Sequence, residues 1–187
     1  CTFSYKAEGV GEKEIPRPRP EEIKKLFECI WEKCQNIEVL HVDNANPAVI
    51  ANFPEKSKII LEYLTEFTTS GNVLSLGVES VDEKVIKANN LNSNAEEVRK
   101  AVKMINQVGA ETGDNGMPQL LPGLNFLAGL KDEDSETYTN NFEFLKGLLK
   151  ENLQLRRINI RQIISPENDF DVKYKGEFKR FKEKVRE

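Results

Sequence analysis

The sequence predicts an α/β fold made of parallel βα repeats. Two observations carry this. Short apolar runs of strand length alternate with longer amphipathic runs of helical period along the whole chain. Each strand-like run is also followed by polar turn residues and then a helix, the order that gives βαβ units and a parallel sheet. The 187 residues set an expectation of about one domain, long enough to bury a core without disulfide or metal staples. Four strands in the order α-β-α-β-α-β-α-β-α make half of an eight-stranded barrel or a small open sheet.

Residues 1–19 read as an N-terminal loop, punctuated by Gly9, Gly11, Pro16 and Pro18. Pro20 suits a first helical position, and Ile23, Leu26, Phe27, Ile30 and Trp31 follow on one face. The run over residues 37–42 reads as the first strand. Asn46-Pro47 starts a short helical turn with Val49, Ile50 and Phe53, and a longer helix carries Ile59, Ile60, Tyr63, Leu64 and Phe67. Residues 73–78 read as the second strand. Ser80 with Glu83, and Ser93 with Glu96, fit capping boxes for two helices separated by an Asn-rich break. The second of these helices carries Val98, Ala101, Val102, Ile105 and Val108. A long Gly- and Pro-containing loop over 109–123 precedes a third strand at 124–130. Asp134 or Ser135 caps a helix with Tyr138, Phe142, Leu145, Leu148 and Leu149. Residues 157–164 read as the fourth strand, and the tail from 173 is a Lys/Glu-rich helix with Phe178, Phe181 and Val185 on one side.

Composition narrows the function. With 31% charged and 39% hydrophobic residues the chain has an ordinary soluble make-up, and no apolar run approaches the ~20 residues of a membrane span. A net charge of −4 argues against broad phosphate-backbone binding, so nucleic acid is not indicated. No apolar segment of signal-peptide type opens the sequence, which sets the cytoplasm as the expected compartment. Cys29 and Cys34, five positions apart on one helix, point away from each other and read as buried or half-buried helix cysteines. Cys1 stands alone, and its place suggests a chain that begins partway through a larger protein. The exposed first and last strands of a half-barrel imply either a homodimer through sheet edges or coverage by the terminal segments.

In parallel α/β folds ligands lie outside the carboxyl ends of the strands. Those positions hold Asp43, Asn44 and Asn46 after the first strand, and Glu79 and Ser80 after the second. Gly129, Lys131, Asp132 and Glu133 follow the third, and Asn159 and Arg161 lie in the fourth. Arg161 alternates with Arg157 and Asn159, and an Arg turned into a sheet interior needs a carboxylate or a ligand anion beside it. Gly77 lets a group approach the backbone closely next to Glu79. His41, the only histidine, sits in an apolar run without a second His or Cys nearby, so it reads as a core residue and not as a zinc ligand. Neither phosphate-loop pattern occurs in residues 109–123, and nothing marks a nucleophile elbow.

Several of these stretches resemble the radical S-adenosylmethionine (SAM) enzymes. LGVESVDEKVIKANN is similar to the region of that family where a Gly-Leu-Glu-Ser strand end precedes a helix. LPGLNFLAGLKDEDSETYTNNFEFLK resembles the following strand and helix, and LRRINIRQIISP the strand after that. LHVDNANPAVIANFPE is similar to a mostly archaeal branch of uncharacterised iron–sulfur oxidoreductases. The resemblance implies a partial (β/α) TIM-like barrel, of which residues 20–167 supply the third to sixth strands, with 168–187 a C-terminal charged helix. It implies two cofactors in the full-length protein, S-adenosylmethionine and a [4Fe–4S] cluster on a C-x₃-C-x₂-C loop. Their joint chemistry is a 5′-deoxyadenosyl radical that abstracts hydrogen from a substrate.

The C-x₃-C-x₂-C loop is absent from this sequence, so the resemblance implies a fragment without metal ligands, inactive alone and weak in SAM binding. It assigns Glu79 and Ser80 to the ribose or amino-acid end of SAM. It assigns the 126–129 backbone, from Phe126 to Gly129, to adenine, and Asn159 and Arg161 to the pocket wall. Asp43, Asn44 and Glu133 fall to the substrate side, and Lys131-Asp132 replace the Pro-Gly common in the family. The substrate is left open. Two other readings stay beside this one: a non-enzymatic α/β binding or interaction module, and an aldolase-like barrel fragment, which lacks a lysine inside a strand.

Overall fold

Four parallel strands form one sheet in the order β1-β2-β3-β4, as the alternating pattern predicts. The structure is a computed structural model and describes residues 2–9, 15–164 and 170–187. Cys1, Gly11 and the 167/168 boundary lie outside the described residues. The strands are β1 (Asn44–Ala45), β2 (Asn72–Glu79), β3 (Leu120–Ala128) and β4 (Arg157–Gln162). The helices are α1 (Pro20–Lys33), α2 (Pro47–Asn52), α3 (Pro54–Phe67), α4 (Glu83–Ala88), α5 (Ala95–Gly109), α6 (Ser135–Lys150) and α7 (Lys175–Arg186).

The two faces of the sheet differ. Alternate strand residues point to opposite sides. Leu74, Leu76 and Val78 of β2, with Leu120, Leu124, Phe126 and Ala128 of β3, belong to the buried core that the helices complete. Phe126 meets Phe181 of α7 edge-on, with ring centroids 5.9 Å apart. The other row holds Val73, Ser75 and Gly77, then Leu121, Gly123, Asn125 and Leu127, then Arg157, Asn159 and Arg161. None of these belongs to that core; even Leu121, only 7% exposed, is outside it. A parallel sheet is normally covered on both faces. Here the helical layer covers one face, and the other is polar and open, as the inside of a partial barrel would be.

The first strand differs from the expectation. Residues 37–42 are not a strand; only Asn44–Ala45 pairs with β2. The reason lies in side chains that replace the ladder. Leu40 N–H donates to Thr69 Oγ1 (3.0 Å) and Val42 N–H to Asn72 Oδ1 (3.0 Å), which draws this segment along β2 without regular pairing. His41 is exposed and not a core residue, because it faces out from this edge. Cys29 and Cys34 are both exposed and free, the buried faces of α1 being taken by Ile23 and Phe27. Leu149 is also exposed, on the outer side of α6.

Both overlapping capping boxes move along by one or two residues. Asp82 caps α4, accepting from Lys84 N–H, while Ser80 Oγ accepts from Asp82 N–H. Asn94 and Glu97 form the box at α5. Asp134 caps α6, with Thr137 closing the box. Residues 109–123 are not all loop, since β3 already starts at Leu120. Two asparagines then lock successive units together. Asn89 of the α4 end grips both backbone groups of Lys131 (2.9 and 3.1 Å), and Asn106 of α5 does the same to Gln154 (3.0 and 2.7 Å). The loop after β3 is thereby fixed to α4.

Candidate functional site

Glu79 ends β2 in an unusual conformation. Its φ is +60°, and Ser80 N–H donates to Val78 O (2.7 Å), closing a three-residue turn around it. Such positive-φ turns are strained for a residue with a side chain. The pairing with β3 shifts between Gly77 and Glu79 at the same place. The side chain folds back over Gly77, where an added Cβ would stand 3.0 Å from Glu79 Oε1. Gly77 is level with Asn125 on the open face, so the carboxylate lies on that face. Burial pushes the Glu79 carboxyl above its usual range, and no hydrogen-bond donor among the described residues reaches it.

Arg161 is exposed and level with Leu127, one residue along β3 from the Phe126 that pairs with Glu79. Glu79 and Arg161 therefore share one end and one face of the sheet, across β3 from each other. Between them Asn159 Nδ2 donates to Asn125 Oδ1 (2.8 Å). Asn44 joins Glu79 in a cleft of about 280 Å³ at the ends of β1 and β2, together with Asn46, Gly77 and Asn92.

The other candidates take different places. Ser80 is 1% exposed, and its hydroxyl donates to Asn141 Oδ1 of α6 (3.3 Å), away from the open face. The Phe126 side chain is inside the helical core, so only its backbone borders the sheet's open side. Gly129 (φ +93°) follows β3, where a Cβ would approach the Asp171 carbonyl carbon at 3.3 Å and Val172 N at 3.4 Å. Its N–H donates to Glu133 Oε2 (2.7 Å), which also accepts from the Tyr138 hydroxyl (2.8 Å). Glu133 Oε1 is buried without a partner among the described residues, and burial pushes this carboxyl up.

That burial gives a pH prediction. The folded chain holds the Glu133 proton more firmly than the unfolded chain, whose carboxyl titrates at about 4.3. The penalty on the charged form is absent below the unfolded value and complete above the folded one. Glu133→Gln keeps an acceptor for Gly129 and Tyr138 and removes the charge. It should melt higher than the parent chain at neutral pH, with the gap closing as the pH falls towards about 4 in thermal melts. A gap that does not change with pH would contradict this.

Of the two β4 arginines, the one that meets a carboxylate is Arg157, which the sequence left without a role. Its Nη2 donates to Ser75 Oγ (2.7 Å) and Asp43 Oδ1 (3.0 Å), and Ser75 Oγ donates to the same Asp43 oxygen (2.7 Å). Gly123 stands between Ser75 and Arg157 in register, so the guanidinium crosses β3 where there is no side chain. Asp43 is thus joined to mid-sheet and not to the rim. Alternation alone could place Arg157 on this face; only the register shows what it reaches.

Among the described residues no group of three or more His, Cys, Asp or Glu is placed to hold a metal, and no helix is long and apolar enough to cross a membrane. A parallel α/β half-barrel with an open polar face is the class that fold and site define. No family model matches the chain. It is 49% identical over 196 residues to an uncharacterised protein of Methanocaldococcus jannaschii, covering 100% of this chain and 36% of that protein. It is 43% identical over 193 residues to an uncharacterised protein of Archaeoglobus fulgidus, covering 99% of this chain and 36% of that one. The chain thus spans just over a third of these curated relatives. Coproporphyrinogen III oxidase of Escherichia coli, described as a radical SAM enzyme, superposes with a TM-score of 0.56 at 16% identity, over 81% of this chain and 30% of that one. At that identity the likeness is one of fold.

Proposed function

We propose that the chain forms the second part of a radical SAM core, within a longer polypeptide of the kind these relatives represent. In this reading its open face holds SAM and part of the substrate. The observation that carries the reading is the pairing of an unpartnered carboxylate, Glu79, with an exposed guanidinium, Arg161, at one end and on one face. SAM presents an ammonium and ribose hydroxyls to the first and a carboxylate to the second, by charge-assisted hydrogen bonds. Asn159, with Asn125, offers amide groups between them, and Gly77 leaves the backbone bare for close approach. The likeness in fold to the E. coli enzyme, described as a radical SAM enzyme, supports the reading of the chain as part of such a core. Bound to a [4Fe–4S] cluster, SAM would supply hydrogen-abstraction chemistry; this chain contributes binding and orientation. The cluster ligands belong to sequence outside this chain.

The isolated chain tests the face directly. Titration with SAM, followed by amide NMR, should give weak millimolar binding, with shifts at Gly77, Glu79, Asn125, Asn159 and Arg161. Glu79→Gln should reduce them. Shifts confined to the helix-covered side would remove the assignment, and micromolar affinity by calorimetry would show that the cluster is not needed to retain SAM.

A further inference from the structure

The far edge of the sheet carries a second feature. β4 is last in the strand order, so one side of its backbone pairs no strand among the described residues. Exposed edges of this kind are templates for another strand. Beside it runs a groove of about 340 Å³ between β4 and α7. Ile158, Ile160 and Val185 give it an apolar floor, while Arg161, Lys182 and Arg186 border it; among the described residues no acidic one lines it. All three bordering cations stand outside the ion pairs of the described residues. Their neighbours differ: Lys179 pairs with Glu183, Arg180 with Glu177 and Arg157 with Asp43. From Arg156 onward the sequence has ten Lys and Arg against six Asp and Glu, a local excess of +4 in a chain of net charge −4.

We infer that this edge and groove take an extended acidic segment of a partner protein, added to the sheet as a strand beside β4. Three properties of the surface select that occupant. The free edge supplies main-chain hydrogen bonds to an extended chain. The apolar floor takes alternate side chains, because successive residues of a strand face opposite ways. The cations select Asp or Glu at the remaining positions and speed encounter. A nucleic-acid backbone would use the charge but leave the floor of Ile158, Ile160 and Val185 without a matching group. A second copy of this chain offers at its other edge the two-residue β1 and, before it, the non-strand segment 37–42, which contains a single carboxylate, Glu38, so the match is poor.

The test uses the whole chain and a short labelled peptide alternating valine with glutamate. The peptide should bind in fluorescence anisotropy, weaken as salt rises, and slow hydrogen exchange at the amides of β4. A lysine-for-glutamate peptide should not bind. Lys182→Glu with Arg186→Glu should weaken binding by about tenfold. Both positions line the groove from α7, Lys182 half-exposed with its Nζ 4.1 Å from the Phe178 ring centroid and Arg186 exposed, and circular dichroism reports whether the variant keeps its helices. Exchange protection in the parent chain is read independently of any variant. Absence of protection at β4 under saturating peptide would overturn the proposal. So would tighter binding of a single-stranded oligonucleotide than of the peptide. A light-scattering mass of two copies, reduced to one in the charge-reversed variant, would assign the edge to self-pairing and overturn it as well.

Discussion

Gly109→Ala is expected to lower the melting temperature by about 6–12 °C, from a cost of about 3 kcal/mol. Gly109 closes α5 against the first residue of β3. An added Cβ would stand 2.6 Å from Leu120 Cβ and 2.9 Å from its carbonyl carbon, and would press on the Leu120 carbonyl oxygen. Backbone cannot rotate aside as the end of a long side chain can. Either α5 lifts, uncovering Val102 and Ile105, or β3 shifts against β2 in the pairing that begins at Asn72 and Leu120. Gly147→Ala on α6 is the control. There a Cβ meets only the Arg99 guanidinium at 3.4 Å or beyond, an ordinary contact at the end of a flexible side chain. That substitution should leave stability unchanged or raise it by up to about 1 kcal/mol through helix propensity. Equal melting temperatures for the two variants would mean that α5 and β3 do not approach as closely as described.

Elements fixed by local chemistry were readable in the sequence. Pro20 opens α1, Asn46-Pro47 opens α2 and Asp134 opens α6, because caps depend on residues within one turn. The misplaced caps show where local pattern runs out. Ser93 with Glu96 and Asn94 with Glu97 both satisfy the same spacing. The second is used, and Glu97 also accepts from Asn52 Nδ2 of α2 (2.8 Å), a partner 45 residues away. Asp82 is preferred to Ser80 in the same way, by Thr137 and Asn140 on α6.

The candidate site divides along the same line. Alternation placed Arg157, Asn159 and Arg161 on one face, and the strand ends placed Glu79 and Gly129 at one rim, since both follow from period and direction. What each group touches does not. The contact of Arg157 with Asp43 joins residues 114 apart, across a strand whose Gly123 leaves room for it. Glu133 falls to the substrate side by the resemblance, yet Tyr138 and Gly129 hold one of its oxygens. The edge segment around His41 fails as a strand because Thr69 and Asn72 accept the bonds that a ladder would need.

The second large effect is at Asp82, where the fold and the rim meet. Its side chain is 6% exposed and caps α4 through Lys84 N–H (3.2 Å). It accepts from Thr137 Oγ1 (2.9 Å) and Asn140 Nδ2 (3.2 Å), and Lys84 Nζ stands 3.8 Å away. The same lysine bonds Asp134, the cap of α6, so one cation joins the starts of two helices. Beside this, Asn141 Oδ1 accepts from Val81 N–H (2.9 Å) and from Ser80. The residues just past Glu79 are thus held by α6, and this grip keeps Glu79 in its positive-φ turn. Asp82→Ala removes a cap and leaves the buried Thr137 hydroxyl with only the longer bond to Asp134 Oδ1 (3.4 Å), at an expected cost of about 3 kcal/mol and a fall of about 6–12 °C in melting temperature. Asp82→Asn keeps an acceptor and should lose about half as much. Because strain at Glu79 is maintained by this grip, both variants should also shift the Glu79 and Ser80 amide resonances before any ligand is added. A loss of stability with those resonances unmoved would separate the cap from the rim, and the carboxylate would then owe its position to β2 and β3 alone.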